Sequence, residues 1–259
     1  MPVKLKNPKE IETMRLCGEA AGKLLQRLVE AVKPGVSTKE LDDLSRKTIR
    51  KLGGVSSFLN YSPPGHSPYP AAVCTSVNDE IVHGIPGKRV LADGDIIGVD
   101  VAMILGGYHT DNAFTLPIGN VSPIAQRLIQ VTRESLSRAL EAAQPGNRLG
   151  DIGFAVQDYV ESEGFSVVTD LCGHGIGRHL WEEPEVYNYG EAGKGPRLRP
   201  GMVIAIEPMV NVGRPEISTD PDGWTVRSDD GTLSAHFEHT VAIFSDGPEI
   251  LTRNDGLWG

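Results

Sequence analysis

The sequence predicts an α+β fold of two pseudo-symmetric halves, each with two helices followed by a pair of strands. Three observations carry this expectation. AVKPGVSTKELDDLSRKTIRKLGG, from residue 31, lies over AAQPGNRLGDIGFAVQDYVESEG, from residue 142, with Pro34 on Pro145, Gly35 on Gly146, Leu41 on Ile152 and Gly53 on Gly164 at a constant offset of 111. GDIIGVD, ending at Asp100, then lies over GMVIAIE, ending at Glu207, at an offset of 107. Finally, Asp100, Asp111, Glu207 and Glu238 each interrupt or close an apolar, strand-like run where Val or Ile is usual. A carboxylate in such a place is costly unless a metal or another cation neutralises it. No flexible stretch separates the halves, so residues 1–259 read as one domain with halves of about 1–121 and 122–259.

The elements follow in order. A first helix runs from about Asn7 to Val32. Asn7 caps it, Pro8 suits its first position and Glu10 completes a capping box. Ile11, Met14, Arg15 and Leu16, then Leu24, Leu25, Leu28 and Val29, follow a helical period with one break, and Pro34-Gly35 stops it. Ser37 to Glu40 opens a second helix that ends at Gly53-Gly54, and a loop rich in Ser, Pro and Tyr spans Ser62 to Pro70. Strand-like runs cover Ala71 to Ser76, Asp95 to Leu105 and Tyr108 to Leu116. Ser122-Pro123 starts a third helix that reaches about Ala143, and a fourth spans roughly Leu149 to Glu163 before Gly164.

Composition narrows the function. The chain has 259 residues, 39% hydrophobic and 23% charged, with a net charge of −9 and no Lys/Arg cluster, which argues against a nucleic-acid surface. The start, MPVKLKNPKE, has no apolar signal core, and no run reaches the length of a membrane span. Cys17, Cys74 and Cys172 are odd in number and widely spaced, so they read as reduced thiols of a cytoplasmic protein and not as a thiolate zinc site.

The four acids form a constellation with His174, which sits between glycines in LCGHGIG. Asp100 and Asp111 flank Leu105-Gly106-Gly107. In a hairpin turning at Leu105-Gly106 they lie directly opposite one another; turning at Gly106-Gly107 puts Ala113 opposite Asp100 and Asp111 on the diagonal. Both registers leave the acids on one face, where two like charges need a cation between them. Glu207 closes MVIAIE before Pro208, and Glu238 lies in AHFEHTVAIF; Asp111 and Glu238 each follow a His by two residues, His109 and His236. Four acids and one His make a hard, oxygen-rich donor set for two divalent ions. His83 in NDEIVHGIP is a further candidate; His66, His109, His179, His236 and His239 have weaker local cases.

With these residues in view, the chain resembles the type I methionine aminopeptidases. CTSVNDEIVHGIP, GDIIGVDV with YHTDNAFT, GHGIGR with EEP, MVIAIEPMVN and SAHFEHT together carry the resemblance, from the first helix to Phe244. It implies a pita-bread fold, with helices packed on a curved, mainly antiparallel sheet. It implies two divalent ions (Co, Mn, Fe or Zn), with Asp100 on one, His174 and Glu207 on the other, and Asp111 and Glu238 bridging both. Glu207 is implied to handle the proton of the attacking water, His83 to contact substrate, and Tyr69, Cys74, Leu180 and Trp224 to line a methionine pocket. The implied substrate is the initiator methionine of nascent polypeptides with a small second residue, met in the cytoplasm at the ribosome by a monomer. One position departs from the pattern. GHGIGRHLWEEP carries Trp181 where the family has a second His that contacts the substrate amide. In an extended segment His179 would share a face with Trp181 and stand in for that group. This departure keeps two alternatives open: a relative with altered specificity, such as cleavage before proline, and a weakened peptide-binding relative.

Overall fold

The computed structural model describes residues 2–253. Residue 1 and residues 254–259, the two ends of the expected domain, lie outside the described residues. Helix α1 (Pro8–Ala31) begins where its cap dictates: Asn7 Oδ1 accepts from the N–H groups of Lys9 and Glu10 at 3.0 Å, and Glu10 accepts from the Asn7 N–H at 2.9 Å. Its buried face is Ile11, Met14, Cys17, Gly18, Ala20, Ala21, Leu24, Leu25 and Leu28. The break in the apolar period is therefore filled by small residues. Leu16 is 52% exposed and Arg15 turns outward to donate to Glu249, so neither belongs to the buried stripe. A Cβ on Gly18 would stand 2.1 Å from the Leu251 carbonyl oxygen, so glycine there lets the helix seat against residue 251.

Helix α2 (Thr38–Lys51) is capped by Ser37 and Glu40 in the same reciprocal way. Helix α3 (Pro123–Ala142) starts at Ser122, whose hydroxyl accepts from the Ala125 N–H. Helix α4 (Leu149–Ser162) lies 111 residues after α2 at both ends. α1 packs with α2, α3 packs with α4, and α1 lies across the two strands of residues 96–117. None of these helices is long and apolar enough to cross a membrane.

Among the described residues, nine strands form one sheet in which every pairing is antiparallel. Its order is Val55–Ser56, Ile96–Leu105, Tyr108–Pro117, Glu238–Phe244, Val203–Ile206, Gly173–Gly175 and Glu182–Val186. Cys74–Val77 pairs with the 96–105 strand and Gly247–Ile250 with the 238–244 strand. The two halves of the chain meet where Glu238 pairs with Ala113 and His239 with Asn112. A hydrophobic core continues beneath, from Leu24, Leu28 and Val99 to Leu128, Ile204 and Val241.

Register decides where the acids point. Leu105 pairs with Tyr108, so Gly106-Gly107 makes the turn, with φ of 60° and 79°. A two-residue hairpin of this kind needs positive φ at both central positions, which glycine supplies and Leu105 would resist. Asp100 therefore faces Ala113 and Asp111 faces Ala102: the acids are diagonal neighbours on one face.

Two smaller sheets complete the fold. Met209–Asn211 pairs with Ser234–His236 and Ser166–Val167, and Val226–Ser228 pairs with Ile217–Thr219 and Glu80–Val82. The expected run from Ala71 becomes a strand only at Cys74; before it, the Ala72 N–H is taken by Asp42 at 2.7 Å. The N-terminal segment is fastened to the segment that follows His174. Lys6 Nζ lies 2.9 Å from Glu182, with side chains only 6% and 4% exposed, and Glu182 also accepts from the N–H groups of Arg178 and His179. Removing one partner of a buried pair leaves the other charge uncompensated. Lys6→Ala is expected to lower the unfolding free energy by about 3 kcal/mol, read from denaturant titration; an unchanged midpoint would show that water replaces the ammonium.

Candidate metal centre

The five candidate ligands come from five consecutive strands of one sheet. Asp100 sits mid-strand in Ile96–Leu105, Asp111 in Tyr108–Pro117, Glu238 at the start of Glu238–Phe244, Glu207 one residue beyond Val203–Ile206, and His174 within Gly173–Gly175. All five line one cavity of about 410 Å³. The glycines beside His174 have a steric cause. A Cβ on Gly173 would stand 2.3 Å from the Ala205 carbonyl oxygen, and one on Gly175 would stand 2.2 Å from that of Glu183. Only glycine lets this short strand enter the sheet so closely.

The polar atoms are arranged for a cation. His174 Nδ1 lies 2.9 Å from the Gly175 carbonyl oxygen, which can only accept, so Nδ1 carries the proton and Nε2 presents a lone pair. That lone pair faces Glu207 Oε1 at 3.6 Å, two acceptors with nothing to share. Asp100 Oδ1, Asp111 Oδ1 and Glu238 Oε1 are buried without a hydrogen-bond partner. Asp111, His174 and Glu238 each offer a ligand atom, and these atoms all lie within 4.8 Å of one another. The donor set therefore fits a divalent ion, which would satisfy the orphaned oxygens and the nitrogen together.

Electrostatics in the metal-free site agree. Burial pushes Asp100 up to about 7, and burial with the neighbouring acids holds Asp111, Glu207 and Glu238 well above the usual carboxylate range. Burial also drives His174 and His83 down to about 4, so both are neutral at ordinary pH.

One lobe of the cavity is apolar, while Asp170, Glu183 and Glu185 also line the cavity. Tyr69, Cys74, Leu180 and Trp224 line that lobe with Phe58 and Tyr61. Cys74 pairs in register with Asp100, so the apolar lobe begins directly beside the carboxylates. Trp224 is anchored by its Nε1–H to the Ser67 carbonyl at 3.0 Å and meets the Tyr69 ring edge-on at 5.2 Å. His83 lines the cavity from a left-handed backbone, φ 60°, a conformation uncommon outside glycine and worth about 1–3 kcal/mol of strain.

The sequence model of metallopeptidase family M24 matches residues 12–244. The chain belongs to the M24 metallopeptidases. Within that family its relatives include methionine aminopeptidase 1 of Bacillus subtilis, 49% identical over 248 residues that cover 96% of this chain and 98% of that one. The methionine aminopeptidase of Clostridium acetobutylicum is 51% identical over 249 residues, with 96% and 98% covered. The crystal structure of the Thermotoga maritima methionine aminopeptidase superposes with a TM-score of 0.94 at 40% identity, covering 98% of this chain and all of that one. The antiparallel sheet with its flanking helices is the pita-bread fold of these M24 enzymes.

One expectation for this M24 chain is not met by its geometry. Residues 177–181 bend and do not extend, so His179 shares no face with Trp181; it is exposed and does not line the cavity. The cause is Glu182, which gathers the N–H groups of Arg178 and His179 and curls the segment. Trp181 does line the cavity, 50% exposed, with its ring 5.9 Å from those of His174 and Tyr61. Phe58, Tyr61 and His236 were not foreseen as lining residues. For His236 a signal existed: it precedes Glu238 by two, the spacing of one strand face.

The sign of the pH dependence follows from Asp100. Its folded value, about 7, exceeds the unfolded value of about 3.9, so the fold favours the protonated form. That stabilisation is full below about pH 4 and is lost as pH rises through about 7. The chelator-treated protein is expected to melt lower at pH 8 than at pH 6. Added divalent metal should abolish the difference and release protons on binding. Equal melting of the metal-free protein at both pH values would contradict burial of ionisable acids.

Proposed function

We propose that this chain is a metal-dependent aminopeptidase that removes the initiator methionine from newly made polypeptides whose second residue is small. The observation that carries the reading is the set of five candidate ligands from five adjacent strands opening onto an apolar lobe. Asp100 would hold one divalent ion, His174 and Glu207 a second, with Asp111 and Glu238 shared. Such ions, when bound, acidify water and polarise the scissile carbonyl. Glu207 takes the proton of the attacking water on its carboxylate and returns it to the departing amine. His83, placed by its left-handed backbone, contacts the substrate backbone. Tyr69, Cys74, Leu180 and Trp224 receive the methionine thioether, a soft group for an apolar and aromatic wall. A carboxylate-rich site accepts Co, Mn, Fe or Zn. The enzyme acts on nascent chains in the cytoplasm, at the ribosome, as a monomer of one domain.

Trp181 modifies this activity. It presents an indole where the family places an imidazole, so one hydrogen bond to the substrate amide is missing and the subsite after the scissile bond is narrower. Trp181→His is expected to raise turnover of Met-Ala-Ser, by up to about 10²-fold, the usual worth of one such donor. Unchanged turnover would refute the role given to Trp181. The reading as a whole is tested by methionine release from Met-Ala-Ser with metal-free protein titrated with Co(II), Mn(II), Fe(II) and Zn(II). Release should require metal and vanish in Asp111→Asn; silence with every ion despite tight metal binding would favour a peptide-binding protein, and cleavage of X-Pro peptides instead would reassign the substrate.

A further inference from the structure

The Glu207 carboxylate lies between two imidazoles. His174 Nε2 faces Oε1 at 3.6 Å, and His236 Nε2 faces Oε2 at 3.7 Å. The two nitrogens differ in kind. His174 gives its proton to the Gly175 carbonyl through Nδ1, so its Nε2 is a lone pair. His236 is 3% exposed, lines the cavity, and its Nε2 has no hydrogen-bond partner. A buried ring N–H left this way is costly unless it finds an acceptor, and Glu207 Oε2 is the acceptor it faces. The backbone of His236 is held on both sides by Thr115, whose hydroxyl accepts from the His236 N–H at 2.9 Å and donates to its carbonyl at 2.8 Å. The ring is therefore aimed from a fixed strand.

The other half of the chain supplies a comparison. His109 precedes Asp111 by two residues as His236 precedes Glu238, yet His109 Nδ1 is tied to the Ser57 hydroxyl at 2.9 Å and does not line the cavity. A His two residues before a ligand is thus not by itself directed at the site; the second one is.

We infer that His236 is a positioning residue: its Nε2–H holds Oε2 of Glu207 and leaves Oε1, beside the His174 lone pair, to the metal. A neutral donor on one oxygen keeps the carboxylate from swinging to clasp an ion with both, and fixes the atom that receives the proton. This rests on the aminopeptidase reading for its kinetic consequence but not for its structural one.

The test compares His236→Gln, whose amide N–H reaches comparably far, with His236→Leu, which fills the space without a donor, and His236→Asn, which is polar but too short. Each is loaded with Co(II), and its visible absorption, thermal midpoint and kinetics on Met-Ala-Ser are recorded. The expected result is a loss of roughly 10-fold to 10²-fold in kcat for Leu and Asn, with KM within about threefold, and near-parental values for Gln. The Co(II) spectrum should move in Leu and Asn and stay in Gln. A Leu variant with the parent's spectrum and kcat would overturn the inference. So would equal losses in Gln, Leu and Asn that track a fallen thermal midpoint, since imidazole packing alone would then explain them. Should Leu fail to fold, the Gln and Asn pair decides. Should the parent release no methionine at all, the aminopeptidase reading fails and the Co(II) spectra still decide the role of His236.

Discussion

Everything in this structure is arranged around the burial of four carboxylates on one face of a sheet. Asp100 and Asp111 are diagonal neighbours, Glu238 is on the next strand, and Glu207 closes the one after it. Mutual repulsion and lost hydration would expel such a group from an ordinary sheet. The fold tolerates it by two means. Without a metal, burial raises the pKa of all four acids and so favours their protonated forms; a divalent ion, when bound, would take the place of those protons. The surrounding apolar strands, the close helices and the glycines beside His174 all serve to hold the donors rigid, so that binding energy is not lost in gathering them.

Recognition grows from the same face. Cys74 pairs with Asp100, and Tyr69, Trp224 and Phe58 pack next to it, so the apolar lobe and the metal donors share a wall. Trp181 meets Tyr61 edge-on and lies tilted against His174, adding an aromatic wall beside the donors.

Much of this was legible in the chain, and the reasons are local. Asn7 with Glu10 and Ser37 with Glu40 encode helix starts within four residues, so the caps could be read directly. The acids stood out because their neighbours are apolar. What escaped notice depends on partners far away in the chain. The strands Met209–Asn211, Val226–Ser228 and Ser234–His236 have three residues each, too few to display a period. His236 belongs to one of them, which is why its spacing from Glu238 carried little weight. The Lys6–Glu182 pair joins residues 176 apart in the sequence, and Glu182 bends the segment that His179 was expected to share with Trp181. In α1, Gly18, Ala20 and Ala21 looked like a gap in the apolar stripe, whereas their smallness is what seats the helix.

The placement of one ligand per strand has a consequence for how the molecule is made. Asp100 and Asp111 come together through a local hairpin, but Glu238 joins them only when the 108–117 strand has found the 238–244 strand, a long-range pairing that forms slowly. The first half supplies Asp100 and Asp111 and the second His174, Glu207 and Glu238, so the full donor set exists only once that pairing has closed. The seam between the halves is thus also the seam of the donor set, and whatever loosens the pairing of Glu238 with Ala113 loosens the fold and the site together.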